Sequence, residues 1–438
     1  MTDPDRLIFV ATSDVAGKTR GKAFPAADLA ARRAKGVGWT PTNVMITCFD
    51  TIPDGPFGAL GDLVLVPDET AGFEAVLPGA TGATRMMLGD VRTLDGAAWD
   101  CCTRSLLKGA IARLDRVAGL SVTAAFEHEF QFKSGDLPGG EAYGFQGFAP
   151  RRAFGEALGA ALRAADITPD TFMKEYGPNQ YEITVAPADA LRAADEAVML
   201  RELTRLTARA LGETATFTPI RDPASVGNGV HVHMSLRDRD GRPATWSPDG
   251  PGGLSQAAGA FAAGILRHLP DLLALTAPSD ISYLRLTPHR WSAAYNNLGF
   301  RDREAALRIC PVAASDPASI ARQFNLEYRA ADGAASPHLA LAALIHAGAQ
   351  GIEEGLTPPA PTQEDLSTLS PEALAARGLA RLPQSLAEAL DRFAAAPAVR
   401  GWFPAAFSEV FLAHKAGEIA ALGDASAEAR CAAYEAVY

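Results

Sequence analysis

The spacing of apolar positions changes near residue 100. Before it, short apolar runs end in turn residues. Leu7-Ile8-Phe9-Val10 runs into Asp14 and Gly17, and Leu63-Val64-Leu65-Val66 sits between Gly61 and Pro67, which is the pattern of strands and turns. Beyond it, apolar residues recur at helical spacing in Arg104 to Val117 and Phe154 to Ala165. Strand-like runs at Val122 to Phe132, Tyr181 to Val185 and Val230 to Leu236 alternate with these helices. The pattern predicts an α+β protein with a small β-rich domain at 1–98 and a larger α+β domain at 99–438. A Pro-rich linker is expected from Leu356 to Ser370, with a helical tail from Pro371 onward.

Composition narrows the class. The 438 residues are 48% apolar and 21% charged, with a net charge of −11, which excludes a disordered or fibrous chain. An acidic chain has no general electrostatic attraction for nucleic acid or anionic membrane, so a small molecule or another copy of itself is the expected partner. The five cysteines are irregularly spaced and form no CxxC motif, which fits a reduced, cytoplasmic protein. Residues Met1 to Arg6 place no basic segment before an apolar run, so no signal peptide is expected. The most apolar long stretch, Leu254 to Thr276, is broken by Gln256, Arg267, His268, Pro270 and Asp271 and reads as too polar to span a membrane. Gly17-Lys18-Thr19 imitates the end of a phosphate-binding loop, but Thr12 stands where that loop needs its first glycine, so a turn between strands is expected.

Five segments carry candidate chemistry. On a strand, Glu127, Glu129 and Gln131 share one face while His128, Phe130 and Phe132 share the other. Neighbouring carboxylates repel unless a cation sits between them; an exposed polar face is the alternative. Glu175 and Glu182 flank the turn Gly177-Pro178-Asn179, and such acids suit Mg²⁺ or Mn²⁺; a solvated loop is the plainer reading. In Val226-Gly227-Asn228-Gly229-Val230-His231-Val232-His233-Met234-Ser235, the two histidines and Ser235 share a face, as ligands or as core residues. Arg285, Arg290, Arg301, Arg303 and Arg308 suit phosphate or carboxylate recognition, or surface ion pairs. Glu327 and Arg329 lie on one strand face ahead of an apolar helix after Pro337.

In this order the segments resemble the glutamine synthetase family, closest in character to its γ-glutamyl amine ligases. E-x-E, then E-x(6)-E, G-x-G-x-H-x-H-x-S, R-L-x-P, R-x(4)-R and E-x-R-x-x-D occur in sequence across the chain. The resemblance implies a glutamine synthetase-like fold: an N-terminal β-grasp domain, then a catalytic domain whose antiparallel strands form a funnel. It implies stacked rings, a dodecamer, with each site shared between neighbours. It implies ATP as co-substrate and two or more Mg²⁺ or Mn²⁺ ions. Glu129, Glu175 and Glu182 would hold one metal, and Glu127, His231 and Glu327 the other. Arg285, Arg329 and Gly229 would bind a glutamate-like amino acid. Arg303 and Arg308 would act on the transferring phosphoryl group. His233, Ser235 and Arg308 would touch nucleotide. Five glutamates, two divalent cations, a nucleoside triphosphate and four arginines come close to neutrality, as phosphoryl transfer requires. The implied reaction joins the γ-carboxylate of glutamate to an amine through an acyl phosphate.

Departures from the pattern bear on the acceptor. The flap glutamate of ammonia-using relatives is Trp291 here, and an indole is no base; it could instead wall a pocket for an apolar or aromatic amine. The loop N-G-x-G reads Val226-Gly227-Asn228-Gly229, an arginine two before Glu327 is Asn325, and the glycine of the P-G-Q turn is Asn179. Asp50 resembles the aspartate that relatives extend into a neighbour's site to bind and deprotonate ammonium, with Asp54 a rival. An organic amine is therefore the expected acceptor. The alternatives are an ammonia-dependent glutamine synthetase and a non-catalytic assembly protein on the same scaffold.

Overall fold

The computed structural model describes residues 6–135 and 140–438. Residues Met1 to Asp5, which the export-signal reading uses, lie outside this set. The first unit is a five-stranded sheet of β1 (Leu7–Ser13), β2 (Thr19–Pro25), β3 (Val37–Trp39), β4 (Leu63–Ala75) and β5 (Thr84–Arg92) in the order β2-β1-β5-β4-β3. Only β1 and β5 run parallel, and the helix Leu29–Lys35 packs against β4, a β-grasp arrangement. Gly17-Lys18-Thr19 forms the turn from β1 into β2. Asp14 fixes it by accepting from the backbone N–H groups of Ala16 and Lys18 at 2.9 Å each. Gly17 has φ +68°, and a Cβ there would lie 2.4 Å from the Ala334 carbonyl oxygen, so only glycine lets the turn meet the second unit.

That second unit is built on a nine-stranded sheet. Its strands are β6 (Leu120–Phe132), β7 (Pro169–Lys174), β8 (Gln180–Val185), β9 (Ala188–Asp189), β10 (Ala215–Thr216), β11 (Val230–Asp238), β12 (Leu298–Phe300), β13 (Leu307–Ile309) and β14 (Leu326–Tyr328). The main path is β12-β13-β14-β11-β6-β8-β7, antiparallel except for β12 with β13. One face is covered by helices, chiefly Thr103–Ala118, Ala190–Ala210, Gln256–Thr276 and Pro337–Glu353. The last two are apolar all round and buried, as expected of helices inside a core. They approach closely where glycines face each other: a Cβ on Gly351 would sit 2.1 Å from the Ala260 carbonyl oxygen.

Two expectations change. Gln256–Thr276 is long and apolar enough to cross a membrane, but 89% of that stretch is packed inside this fold. The Pro-rich segment is a strap rather than a linker. Thr362 pairs with the sheet edge through its backbone N–H, which donates to Leu298 at 2.7 Å, and Leu366 is buried under it. Prolines read as a linker locally, but a long-range pairing has no local signature. The two units are locked by Arg104, which is 2% exposed. It donates to both oxygens of Asp195 at 2.9 Å and to Asp90 and Asp68 at 3.1 and 2.9 Å.

Candidate functional site

Strand register assembles the site. His128, Phe130 and Phe132 are fully buried behind β6, so Glu127 and Glu129 turn to the open face. Across the sheet, His231 stands opposite Glu127, Glu182 opposite Glu129, and Glu327 opposite both His233 and Arg308. The tight turn Gly177-Pro178-Asn179 returns β7 as β8, with Asn179 at φ +50°, a conformation that Asn tolerates. It brings Glu175 beside Glu182.

Three groups have ligand atoms within 4.8 Å of one another: Glu129, Glu175 and Glu182; Glu127, Glu182 and His231; and Glu127, His233 and Glu327. The first is the expected trio. In the third, His233 stands where His231 was expected, although His231 Nδ1 lies 3.4 Å from Glu127 and 3.6 Å from Glu327. Burial and then the Glu175 charge push Glu129 up to about 7. Burial and the charges of Glu127, Glu129, Glu175 and Glu327 push Glu182 up to about 9. Burial likewise opposes ionisation of Glu127, but hydrogen bonds from His231 and His233 outweigh it and hold that carboxyl well below the ordinary range. Burial and Arg329 lower His231 to about 4, leaving it neutral and free to ligate. A carboxylate cage this crowded fits hard divalent cations, which would cancel the repulsion.

The cage opens into a cavity of about 770 Å³. Arg285, Arg303, Arg308 and Arg329 line it, with Trp291, His233, Tyr143, Tyr176, Val226 and Arg290. Arg308 donates to Glu327 at 2.7 Å, and Arg329 pairs with the other Glu327 oxygen. Arg329 also donates to the Arg303 and Trp291 carbonyls at 2.9 and 3.2 Å. Buried Arg285 donates to Ser292 and to the Ala331 carbonyl, at 3.0 and 2.8 Å. The Gly229 N–H donates to Glu129 at 2.6 Å. Asn228 turns away, donating to Gln131 and the Thr218 carbonyl, so this loop meets the cavity through Val226 and Gly227.

Two expected residues stand apart. Ser235 donates to the Phe324 carbonyl at 3.1 Å and does not line the cavity. Asp50 lies on the first unit in the left-handed region, φ +56°, with its side chain 80% exposed and 3.1 Å from Arg20. Two contributors lay outside the motifs. Tyr143 donates to Glu175 at 2.9 Å, and Gln180 donates to Glu129 at 3.3 Å and to Asn228 at 2.9 Å. Gln180 was open to discovery, being within the same turn. Tyr143 was not, because its loop has no periodic pattern.

The family profile "Glutamine synthetase, catalytic domain" matches residues 100–434, and "Glutamine synthetase N-terminal domain" matches 1–99. The chain belongs to the glutamine synthetase family. Among its relatives is a γ-glutamylpolyamine synthetase, GlnA3, of Streptomyces coelicolor, 34% identical over 98% of this chain and 93% of that one. Another is a glutamate–isopropylamine ligase of a Pseudomonas species, 30% identical over 82% of this chain and 78% of that protein. A solved structure described as a novel glutamine synthase homolog is 41% identical, covers both chains completely and superposes with a TM-score of 0.90. This member of the glutamine synthetase family is an ATP-dependent carboxylate–amine ligase with amine-ligase character.

Proposed function

We propose that the protein joins the γ-carboxylate of glutamate to an organic amine. A γ-carboxylate oxygen attacks the terminal phosphorus of ATP, forming a C–O–P link as the bond to ADP breaks. The amine nitrogen then attacks the carbonyl carbon, the C–O bond breaks, phosphate leaves, and the nitrogen loses a proton. The observation that carries the choice of acceptor is Trp291, which lines the cavity where an ammonia-using relative has its flap glutamate. Glu304 accepts from the backbone N–H groups of His289 and Trp291 at 3.2 Å each, and so holds the flap's shape.

Each side chain has a proposed task. Arg285 and Arg329 orient glutamate, and Gly229, whose N–H and carbonyl are both bonded to Glu129, fixes the loop beside it. Arg303 and Arg308 neutralise charge on the transferring phosphoryl group, while His233 borders the nucleotide. Glu129, Glu175 and Glu182 would hold one divalent cation, and Glu127 and Glu327 with His231 or His233 a second. Such ions, Mg²⁺ or Mn²⁺, would supply charge neutralisation at the phosphates. Asp50, outward on its loop, would serve the site of a neighbouring copy in a ring, consistent with a dodecamer. The five cysteines are all free, which supports a cytoplasmic setting.

The test is product analysis by mass spectrometry, with ADP release followed in parallel, for protein supplied with ATP, Mg²⁺, glutamate and a panel of amines. The reading expects γ-glutamyl amides of organic amines. Turnover with ammonium alone would assign the ammonia-dependent reaction instead.

A further inference from the structure

Behind the cation cage, the loop at 331–335 gathers contacts from several sides. The Ala331 carbonyl accepts from Arg285 at 2.8 Å and from the Val230 backbone N–H at 3.0 Å. Val230 follows Gly229, which donates to Glu129. The Gly333 and Ala335 carbonyls both accept from Arg201, at 2.8 and 3.1 Å. Arg201 is a buried side chain of helix Ala190–Ala210 and does not line the large cavity. One residue of a core helix therefore pins the loop that carries the contact to Arg285. Asp332 in that loop also answers to Arg285: burial pushes its carboxyl up, and the Arg285 charge is the first influence holding it down.

Three buried side chains here each keep one polar atom without a partner among the described residues: Arg201 Nη2, His128 Nε2 and Asp332 Oδ2. All three line a single cavity of about 10 Å³, whose remaining wall is apolar. That is room for one water and nothing larger. The hydrogen-bonding valences match a water too. His128 turns Nδ1 to the Phe126 carbonyl at 3.3 Å, so the proton of the neutral ring sits there and Nε2 is an acceptor. Asp332 accepts from the Ala334 N–H at 3.1 Å through Oδ1, and Oδ2 is a second acceptor. Arg201 Nη2 is a donor. A water accepts from Arg201 and donates to both His128 and Asp332, which leaves no buried polar atom of the three unpaired. An anion would face the Asp332 carboxylate and a cation the Arg201 guanidinium. Every wall residue is buried within one chain, so ring assembly neither covers nor completes this cavity.

We propose that this cavity is the site of one ordered water, and that Arg201 is a positioning residue which, through that water and the two loop carbonyls, sets Arg285 for the amino-acid substrate. The inference deepens the ligase reading and rests on it. Arg201 touches no substrate. It acts on Arg285 through Asp332 and through the loop that ends in the Ala331 carbonyl.

Two measurements test this. In a crystal structure of the full-length protein, at a resolution that orders water, one density peak should lie within hydrogen-bond reach of His128 Nε2, Arg201 Nη2 and Asp332 Oδ2. An empty cavity, or direct contact of Arg201 with Asp332, overturns the water site. The kinetic arm supplies full-length protein with Mg²⁺, ATP, glutamate and isobutylamine, reads amide by mass spectrometry, and separates kcat from KM for glutamate and for ATP. Arg201→Gln should raise KM for glutamate about tenfold and leave KM for ATP within about twofold. Arg201→Lys, which keeps a charged donor to the loop, should recover most of that loss. His128→Leu, which keeps both loop bonds and removes one acceptor from the water, should raise KM for glutamate by a smaller factor. Should Arg201→Gln fail to fold, the smaller rises in the other two variants carry the comparison. An unchanged KM for glutamate in every folded variant, or an equal rise in KM for ATP, overturns the positioning role and leaves the ligase reading standing. Absence of any amide from the parent protein removes the ligase reading and the positioning role together, while the density still decides the water site.

Discussion

Glu182→Gln separates the two roles a crowded carboxylate can have. Glu182 is 7% exposed and belongs to two of the three cation-sized groups. Its like-charged partners there are Glu129, Glu175 and Glu127. At the 4.8 Å that bounds those groups, two carboxylates at an effective dielectric of about 20 repel by about 3.5 kcal/mol. Three such neighbours exceed anything the side chain gains from its surroundings. Raised to about 9, Glu182 escapes that repulsion in the metal-free protein only by holding a proton at neutral pH, which costs stability; an amide of the same shape avoids that cost and can donate to the remaining acids. The metal-free variant should therefore equal or exceed the parent in stability, by about 1 kcal/mol. Its response to Mg²⁺ should collapse, because a ligand shared by two groups is gone. If saturating Mg²⁺ lies at 100 times the parent's dissociation constant, the parent gains about 2.7 kcal/mol and the variant almost none. Thermal melts with and without Mg²⁺, with calorimetric titration of the metal, read both quantities. A metal-free variant that loses more than about 2 kcal/mol, or one that keeps the full Mg²⁺ response, would refute the reasoning.

Trp291→Glu restores a carboxylate at the flap, and the ratio of ammonium to organic-amine turnover should rise; an unchanged amine profile would take Trp291 out of the account. Arg104→Met leaves Asp90, Asp68 and Asp195 without their shared cation and should cost about 3–5 kcal/mol at neutral pH, read in denaturant melts. Burial opposes ionisation of Asp195 and Asp90, but hydrogen bonds from His338, Arg104 and Lys108 hold both below the ordinary aspartate range. Their contribution is therefore full above about pH 4 and lost as pH falls through the lower folded values. Arg104→Met should flatten that acid limb in a circular-dichroism titration. Gly351→Leu forces a side chain into the 2.1 Å approach to Ala260 and should prevent accumulation of folded protein, checked by soluble yield and melting.

What could be read from the sequence followed from strand period. Two-residue alternation alone put Glu127 with Glu129 and His231 with His233, and both pairs face the cavity. It could not say which histidine reaches Glu327, because that depends on the register between β11 and β14, where His233 is the residue opposite. Arg290 and Arg303 stood out as part of an arginine-rich stretch. That Arg290 donates to the Ser225 carbonyl is a contact across 65 positions, with no local trace. The same limit explains the strap, whose prolines concealed the pairing of Thr362 to the sheet edge. Helix Gln256–Thr276 shows the converse: its polar interruptions suggested a segment unlike a membrane span, and the fold buries it against Pro337–Glu353 instead.

The central claim is that a γ-carboxylate takes up the terminal phosphoryl group before the amine arrives. Glutamate carrying heavy oxygen in its γ-carboxylate, incubated with ATP, Mg²⁺ and isobutylamine, tests it directly. The account predicts one labelled oxygen in the phosphate released for each amide formed. Amide accompanied by unlabelled phosphate would contradict it.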